Sequence, residues 1–217
     1  MWGELNQWKE FPVKALIIVD VQNDFCPGGA LAVRDGDRVV PIINSLQGRF
    51  DLVVATQDWH PADHLSFADN HNGLAPGEMI ELNGKPQVLW PDHCVQDTQG
   101  AAFVAALDTG RIARVFQKGT AIEVDSYSGF FDNDHIHATG LGDYLRENNV
   151  DEVYVCGLAT DYCVKFSALD ARSLGFITFL IEDASRGVEL QEGDVRRAVE
   201  EMRAAGVKIV QSSEVIR

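Results

Sequence analysis

A carboxylate, an ammonium and a thiol recur at comparable places along this chain, each at or just beyond a short apolar run. Asp20 follows Ala15–Val19, Lys118 follows Ala113–Phe116, and Cys163 ends the turn Gly157-Leu158-Ala159-Thr160-Asp161-Tyr162-Cys163 after Val153–Cys156. A thiol in the first turn of a helix is favoured as thiolate, the form that attacks, because unpaired N–H groups and the positive end of the helix dipole face it. Thr160 or Asp161 would cap such a helix; the bland alternative for Cys163 is a small buried apolar cysteine. Asp20 and Lys118, taken singly, read as a turn former and a solvated surface charge. As a pair at neighbouring strand ends, Asp20 would deprotonate the thiol while Lys118 holds the carboxylate in place and ionised.

Metal-ligating residue types form a second set. Asp58 and His60 are two apart, so in an extended segment their side chains leave on the same side. His64 and His93 would complete the site from the stretches Asp58-Trp59-His60-Pro61-Ala62-Asp63-His64 and Trp90-Pro91-Asp92-His93-Cys94. Imidazole and carboxylate ligands without thiolate suit one divalent ion, zinc first and manganese or iron otherwise, with the remaining positions open to a ligand. The alternative is a polar, solvated loop that happens to hold histidines. His135 and His137 have similar spacing but precede a helix, and read as a surface loop. Cys94 adjoins His93, and an adjacent pair can rarely aim both side chains at one ion.

The elements that must position these groups alternate. Strands are expected at Ala15–Val19, Leu52–Ala55, Ala113–Phe116, Val153–Cys156, Ile177–Ile181 and Lys208–Val210, each a short β-branched run of the kind buried on both faces. Helical spacing marks Val39–Leu46, Ala101–Leu107, Leu141–Asn148, Tyr162–Leu174 and Val195–Ala205, with Gly175 and Gly206 just past two of them as left-handed stops. The alternation predicts a three-layer α/β fold, a mostly parallel six-stranded sheet with helices on both faces, as one domain over 1–217. In such sheets ligands bind beyond the carboxyl ends of the strands, which is where Asp20, Asp58, His60, Lys118 and Cys163 fall. The segment from Trp59 to Gly100 is too long and too rich in Pro, Gly, Asn, Asp and His for a plain connection; about 58–100 is the expected metal-binding loop region.

The net charge of −15 disfavours nucleic acid and anionic membrane surfaces as partners, since either requires Lys and Arg to replace counterions. A small neutral or cationic substrate fits better. No apolar run is long enough to span a membrane, and Glu4 and Glu10 do not suit a secretory leader. The four cysteines are expected to be reduced thiols of a cytoplasmic protein, because a chain of this length buries a core without disulfide staples.

The motifs Ala15-Leu16-Ile17-Ile18-Val19-Asp20-Val21-Gln22-Asn23-Asp24-Phe25-Cys26, Asp58-Trp59-His60, Trp90-Pro91-Asp92-His93-Cys94-Val95, Lys118-Gly119, Asp125-Ser126-Tyr127-Ser128 and Gly157 to Cys163 occur in one order across nearly the whole chain. In this the sequence resembles the nicotinamidases (pyrazinamidases) of the isochorismatase-like cysteine hydrolases. The resemblance implies Asp20 as proton acceptor, Lys118 as its ionic partner and Cys163 as nucleophile, with Asp58, His60, His64 and His93 on the metal. It implies Phe25, Trp90 and Tyr127 as substrate-pocket walls, and an oxyanion hole from the N–H groups of Ala159 and Cys163 beside a cis peptide at Leu158–Ala159. The implied reaction is metal-assisted hydrolysis of nicotinamide to nicotinic acid and ammonia in NAD salvage, with pyrazinamide as a further substrate. An amidase for another small amide or N-carbamoyl compound, or a non-catalytic metal-binding module, would keep the same scaffold. A dinucleotide-binding oxidoreductase is set aside, because Asp20-Val21-Gln22-Asn23-Asp24 stands where its glycine-rich fingerprint would be. Met1 to Val13 precede the family's usual start, and Trp2, Trp8 and Phe11 would cover an apolar surface or a subunit contact in a homo-oligomer.

Overall fold

The computed structural model describes residues 11–215. Its strands are β1 (Lys14–Val19), β2 (Leu52–Asp58), β3 (Met79–Leu82), β4 (Lys85–Val88), β5 (Arg114–Lys118), β6 (Glu152–Leu158), β7 (Ile177–Arg186) and β8 (Lys208–Val210). Six of them form one sheet in the order β5-β2-β1-β6-β7-β8, and every pairing in it is parallel. β3 and β4 make a separate antiparallel hairpin inside the long loop region, which the sequence reading did not foresee.

The central strand shows why these runs are apolar throughout. Leu16 and Ile18 face one core, where α1 (Val39–Leu46) contributes Val39, Ile43 and Leu46. Ala15, Ile17 and Val19 face the other, shared with α2 (Leu141–Glu147), α3 (Lys165–Ser173) and α4 (Asp194–Ala204) through Leu141, Leu145, Ala168, Ala171, Val199 and Met202. Alternate side chains thus enter opposite cores, each large aliphatic contributing about 1.5–3 kcal/mol by burial. Helices therefore cover both faces, with α1 on one side and α2, α3 and α4 on the other.

Two expectations need correction. The strands before the candidate residues continue past their apolar runs, because ladder pairing persists through polar residues: Thr56 pairs with Phe116 and Asp58 with Lys118, so the last two are strand residues. Ala101–Leu107 is no helix. Its backbone is committed to tertiary partners instead: Ala101 O accepts from Gln22 Nε2 and Gln57 Nε2, Ala102 O from Asn23 N, Ala106 O from Asn44 Nδ2, and Val104 N donates to Val21 O. Carbonyls and amides occupied in this way cannot close helical turns.

The chain winds from β1 through β2 to β5 in one direction and from β6 through β7 to β8 in the other. The reversal lies between β1 and β6, whose carboxyl ends therefore border the crevice where open α/β sheets bind ligands. Gly157, with φ +117°, lets these ends close, since a Cβ there would fall 2.2 Å from Val19 O. Phe11 is exposed, while Trp2 and Trp8 lie outside the described residues. Among the described residues no helix is long and apolar enough to cross a membrane.

Candidate active site

Asp20, Lys118 and Cys163, set at three strand ends by the sequence, converge at the crevice and are all buried. Asp20 leaves β1 in the left-handed region at φ 48°, which turns the chain away from the sheet. Its Oδ1 accepts a 2.6 Å hydrogen bond from Thr56 Oγ1 on β2, and its Oδ2 lies 2.9 Å from Lys118 Nζ. The same ammonium donates to Asp58 Oδ1 at 2.8 Å and to Ser126 O at 2.8 Å, and stands 3.4 Å from Cys163 Sγ. One cation thus serves two carboxylates and a thiol in a region closed to water.

The charge balance decides who holds protons. Burial alone would lower the Lys118 pKa, but Asp20 and Asp58 raise it well above its ordinary value, so it stays an ammonium. Burial pushes at Asp58 from the other direction and is outweighed by His60 and Lys118, which hold that carboxyl well below its usual range. Asp20 has only half a share of the cation. Burial, opposed by Lys118 and reinforced by Asp58, leaves its pKa raised, and Oδ2 has no hydrogen-bond donor beyond its ion contact. Of the two carboxylates Asp20 is therefore the one suited to receive a proton.

Cys163 departs from the expectation of a resting thiolate at a capped helix start. Residues Thr160–Val164 form a π-helical turn ahead of α3, and Ala159, in extended backbone, occupies the cap position without a side-chain cap bond. Asp161 is diverted to the loop after β7, where its carboxylate accepts from Val188 N and Glu189 N at 2.9 and 2.8 Å. Burial raises the Cys163 pKa well above the ordinary value; Lys118 opposes this, but Asp20 and Asp58 add to it. The resting group is thus a thiol, with the Lys118 ammonium 3.4 Å from its sulfur and shared with Asp20. The peptide Leu158–Ala159 is cis, as the resemblance implies.

The metal-type residues divide. Asp58, His60 and His93 are buried with one ligand atom each mutually within 4.8 Å. His60 Nδ1 donates to Gly119 O at 2.9 Å and His93 Nδ1 to Pro91 O at 2.7 Å, which leaves both Nε2 lone pairs directed at Asp58 Oδ2 from 3.1 and 3.5 Å. Two lone pairs aimed at a carboxylate oxygen repel unless positive charge lies among them. A tetrahedral ion with bonds of about 2.1 Å has ligand–ligand edges of about 3.4 Å, close to these separations, so the three residues fit a divalent ion. The demand for charge also appears in His60, where burial lowers the pKa but Asp58 more than reverses it. Gly119, φ +66°, is required beneath His60, because a Cβ there would fall 2.3 Å from the ring.

His64 is not brought to Asp58 and His93. It joins a second buried group with His60 and Asp125. Its Nδ1 lone pair accepts from Ser66 N at 3.1 Å and meets Ser66 Oγ at 2.7 Å, while Nε2 donates to Val124 O at 3.3 Å. Burial and the neighbouring His60 push its pKa down to about 4, so it is a neutral ring with no free lone pair. His135 and His137 are exposed loop residues, as expected, and Cys94 is buried outside both groups.

A pocket opens onto these groups. Phe25, Trp90 and Tyr127 line it together with Cys163, Ala159, Asp58 and His93. Trp90 and Tyr127 each meet Tyr162 nearly edge-on, at centroid separations of 5.0 and 5.4 Å, and Trp90 Nε1 donates to Tyr127 Oη at 3.3 Å. Sequence reasoning missed Thr56, Asp125, Tyr162 and Gln22. Gln22 clamps Asp58 by accepting from its N–H and donating to its carbonyl, both at 2.8 Å. Thr56 carried a signal, a hydroxyl directly after the apolar run Leu52–Ala55 and two residues before Asp58; Tyr162 and Asp125 lay inside quoted motifs without a role.

Residues 14–214 match the family model described as the isochorismatase domain. The chain is 51% identical over 202 residues to a nicotinamidase of Escherichia coli (strain K12), spanning 91% of this chain and 94% of that protein. It is similar to the solved nicotinamidase/pyrazinamidase of Acinetobacter baumanii, with a TM-score of 0.92, 48% identity and coverage of 96% of this chain and 100% of that one. A pyrazinamidase of Pyrococcus horikoshii, solved in complex with zinc, superposes with a TM-score of 0.75 at 42% identity, over 92% and 99% of the two chains.

Proposed function

The chain belongs to the isochorismatase family, and from that premise we propose that it is a nicotinamidase, a cysteine amidohydrolase that converts nicotinamide and water to nicotinic acid and ammonia and also takes pyrazinamide. The observation that carries this reading is the shared pocket. Cys163, the metal-type donors Asp58 and His93 and the aromatic walls all line it where a flat heteroaromatic carboxamide would lie, with Lys118 3.4 Å from the sulfur and Asp20 2.9 Å from Lys118.

Asp58, His60 and His93 would hold one divalent ion, zinc by analogy with the Pyrococcus horikoshii protein. Bound there, the ion supplies a Lewis-acid position for the substrate's ring nitrogen, which fixes the ring in the pocket. Phe25, Trp90 and Tyr127 hold the ring faces and exclude water.

Asp20 takes the proton of Cys163 as sulfur attacks the carboxamide carbon, and Lys118 offsets the charge that develops on sulfur. The N–H groups of Ala159 and Cys163 receive the resulting oxyanion. The tetrahedral adduct collapses by breaking its C–N bond, and Asp20 returns the proton so that nitrogen leaves as ammonia. A thioester on Cys163 remains. Asp20 then removes a proton from water, whose oxygen attacks the thioester carbon; the C–S bond breaks, nicotinic acid leaves, and sulfur recovers its proton.

Purified, metal-loaded protein should release nicotinic acid and ammonia in equal amounts from nicotinamide, and a chelated sample should lose that turnover until zinc is restored. Folded, metal-loaded protein without turnover would overturn the reading; turnover that survives complete metal removal would overturn the role of Asp58, His60 and His93.

A further inference from the structure

The β3–β4 hairpin has an unusual reason to exist. Of its strand residues only Gln87 is buried, while Met79, Glu81, Lys85 and Pro86 are exposed and the rest half-buried. A ribbon that adds no fully buried apolar side chain gains little from the hydrophobic effect, and an isolated two-stranded ribbon is marginal in water. Its one buried group is an amide. The two amide protons of Gln87 Nε2 are shared among three acceptors in reach, Val88 O at 2.7 Å, Asp125 Oδ2 at 3.0 Å and Tyr127 Oη at 3.2 Å.

The hairpin is also stapled to the loop that carries two of these partners. Asn83 Nδ2 donates to Glu123 O at 2.8 Å, Lys85 Nζ to Asn133 O at 3.1 Å, and Lys85 pairs with Asp134 at 2.7 Å. Asn133 Oδ1 in turn accepts from Tyr127 N at 3.0 Å. Tyr127 Oη lies within hydrogen-bond reach of both Gln87 Nε2 and Trp90 Nε1, at 3.2 and 3.3 Å, so a swing of the ring would part it from both.

We propose that Gln87 is a positioning residue for substrate: its amide fixes the Tyr127 hydroxyl beside Asp125 and so sets the separation of the Trp90 and Tyr127 walls that receive the aromatic ring. The role rests on the nicotinamidase reading and deepens it. Gln87 acts through Tyr127 and does not line the pocket with Cys163. Losing it should therefore weaken ring binding and leave the chemistry at sulfur alone.

The test compares wild type with Gln87→Met, which keeps the length and removes the amide, and with Gln87→Glu, which keeps the shape and replaces the donors by a carboxyl. For each, kcat and KM for nicotinamide are measured beside the rate at which iodoacetamide alkylates Cys163, a reaction that needs no ring. The expected result is a KM raised about tenfold, the equivalent of one lost hydrogen bond, with kcat and the alkylation rate within about threefold of wild type. Tyr127→Phe should raise KM by itself, and adding Gln87→Met to it should do little more. Unchanged KM in whichever variant folds would overturn the proposal, as would a parallel fall in kcat, alkylation rate and thermal midpoint, which marks a purely structural role. Wild type that does not hydrolyse nicotinamide removes the underlying reading, an outcome distinct from a working enzyme indifferent to Gln87.

Discussion

The ammonium of Lys118 lies 3.4 Å from the sulfur of Cys163, near enough to stabilise a thiolate once formed, yet at rest outweighed by burial and by the two carboxylates it also serves. Lys118 therefore holds the site together before it helps the reaction. Lys118→Met would leave Asp20 and Asp58 buried without their cation, at a cost of about 3–5 kcal/mol in stability, and should lower kcat about 10²–10³-fold in protein that folds. Denaturant midpoints and steady-state rates check both. A stable variant retaining more than about a tenth of the rate would show that the cation is dispensable.

Asp20→Asn keeps the shape and removes the base. Lys118 retains Asp58, so the fold should survive, while turnover should fall about 10²–10⁴-fold, the range lost with a positioned proton acceptor. Circular dichroism and the amide-release rate give the two readouts, and near-normal turnover would assign the proton to another group.

The pH profile of kcat/KM should be a bell whose limbs are both displaced upwards. Productive enzyme holds one proton between Asp20 and Cys163. As pH falls through the raised Asp20 pKa the pair gains a second proton and loses its base; as pH climbs through the raised thiol pKa the pair loses the proton that the departing nitrogen needs. Thr56→Val removes a donor that lowers the Asp20 pKa, so it should move the acid limb further up and leave the alkaline limb in place. An acid limb in the usual carboxylate range, unmoved by Thr56→Val, would contradict this assignment.

Metal content separates the histidines. His93→Ala should purify with little metal, because it removes one of the three donors Asp58, His60 and His93, whereas His64→Ala should keep its ion, since the His64 lone pair is already occupied by Ser66 N. Elemental analysis of both variants decides it, and loss of the ion from His64→Ala would return His64 to the ligand set.

The sequence made the sheet and the gathering of Asp20, Lys118 and Cys163 legible for one physical reason. A parallel strand buried on both faces is a continuous apolar run, and residues beyond the ends of such runs gather at one sheet edge, which placed Asp20, Lys118 and Cys163 together, while their roles came from the resemblance. What stayed hidden depended on contacts between distant segments. Ala101–Leu107 has helical spacing, but Gln22, Gln57, Asn23 and Asn44 claim its carbonyls. Asp161 resembles a helix cap, but the loop at Val188 and Glu189 uses it first. His64 has the right side chain for a metal, but its Nδ1 meets Ser66 and it groups with His60 and Asp125, a placement set by residues distant in sequence. The β3–β4 hairpin is short and mostly polar, so no alternation announced it, and the function of Gln87 appears only once Tyr127 and Asp125 are beside it.

The central claim, covalent catalysis by Cys163, is tested most directly by intact-protein mass spectrometry on acid-quenched samples taken during nicotinamide turnover. A nicotinoyl adduct mapping to Cys163 in wild type, with neither adduct nor turnover in Cys163→Ala, is the predicted result. Sustained turnover by Cys163→Ala, or an adduct mapping to another residue, would contradict it.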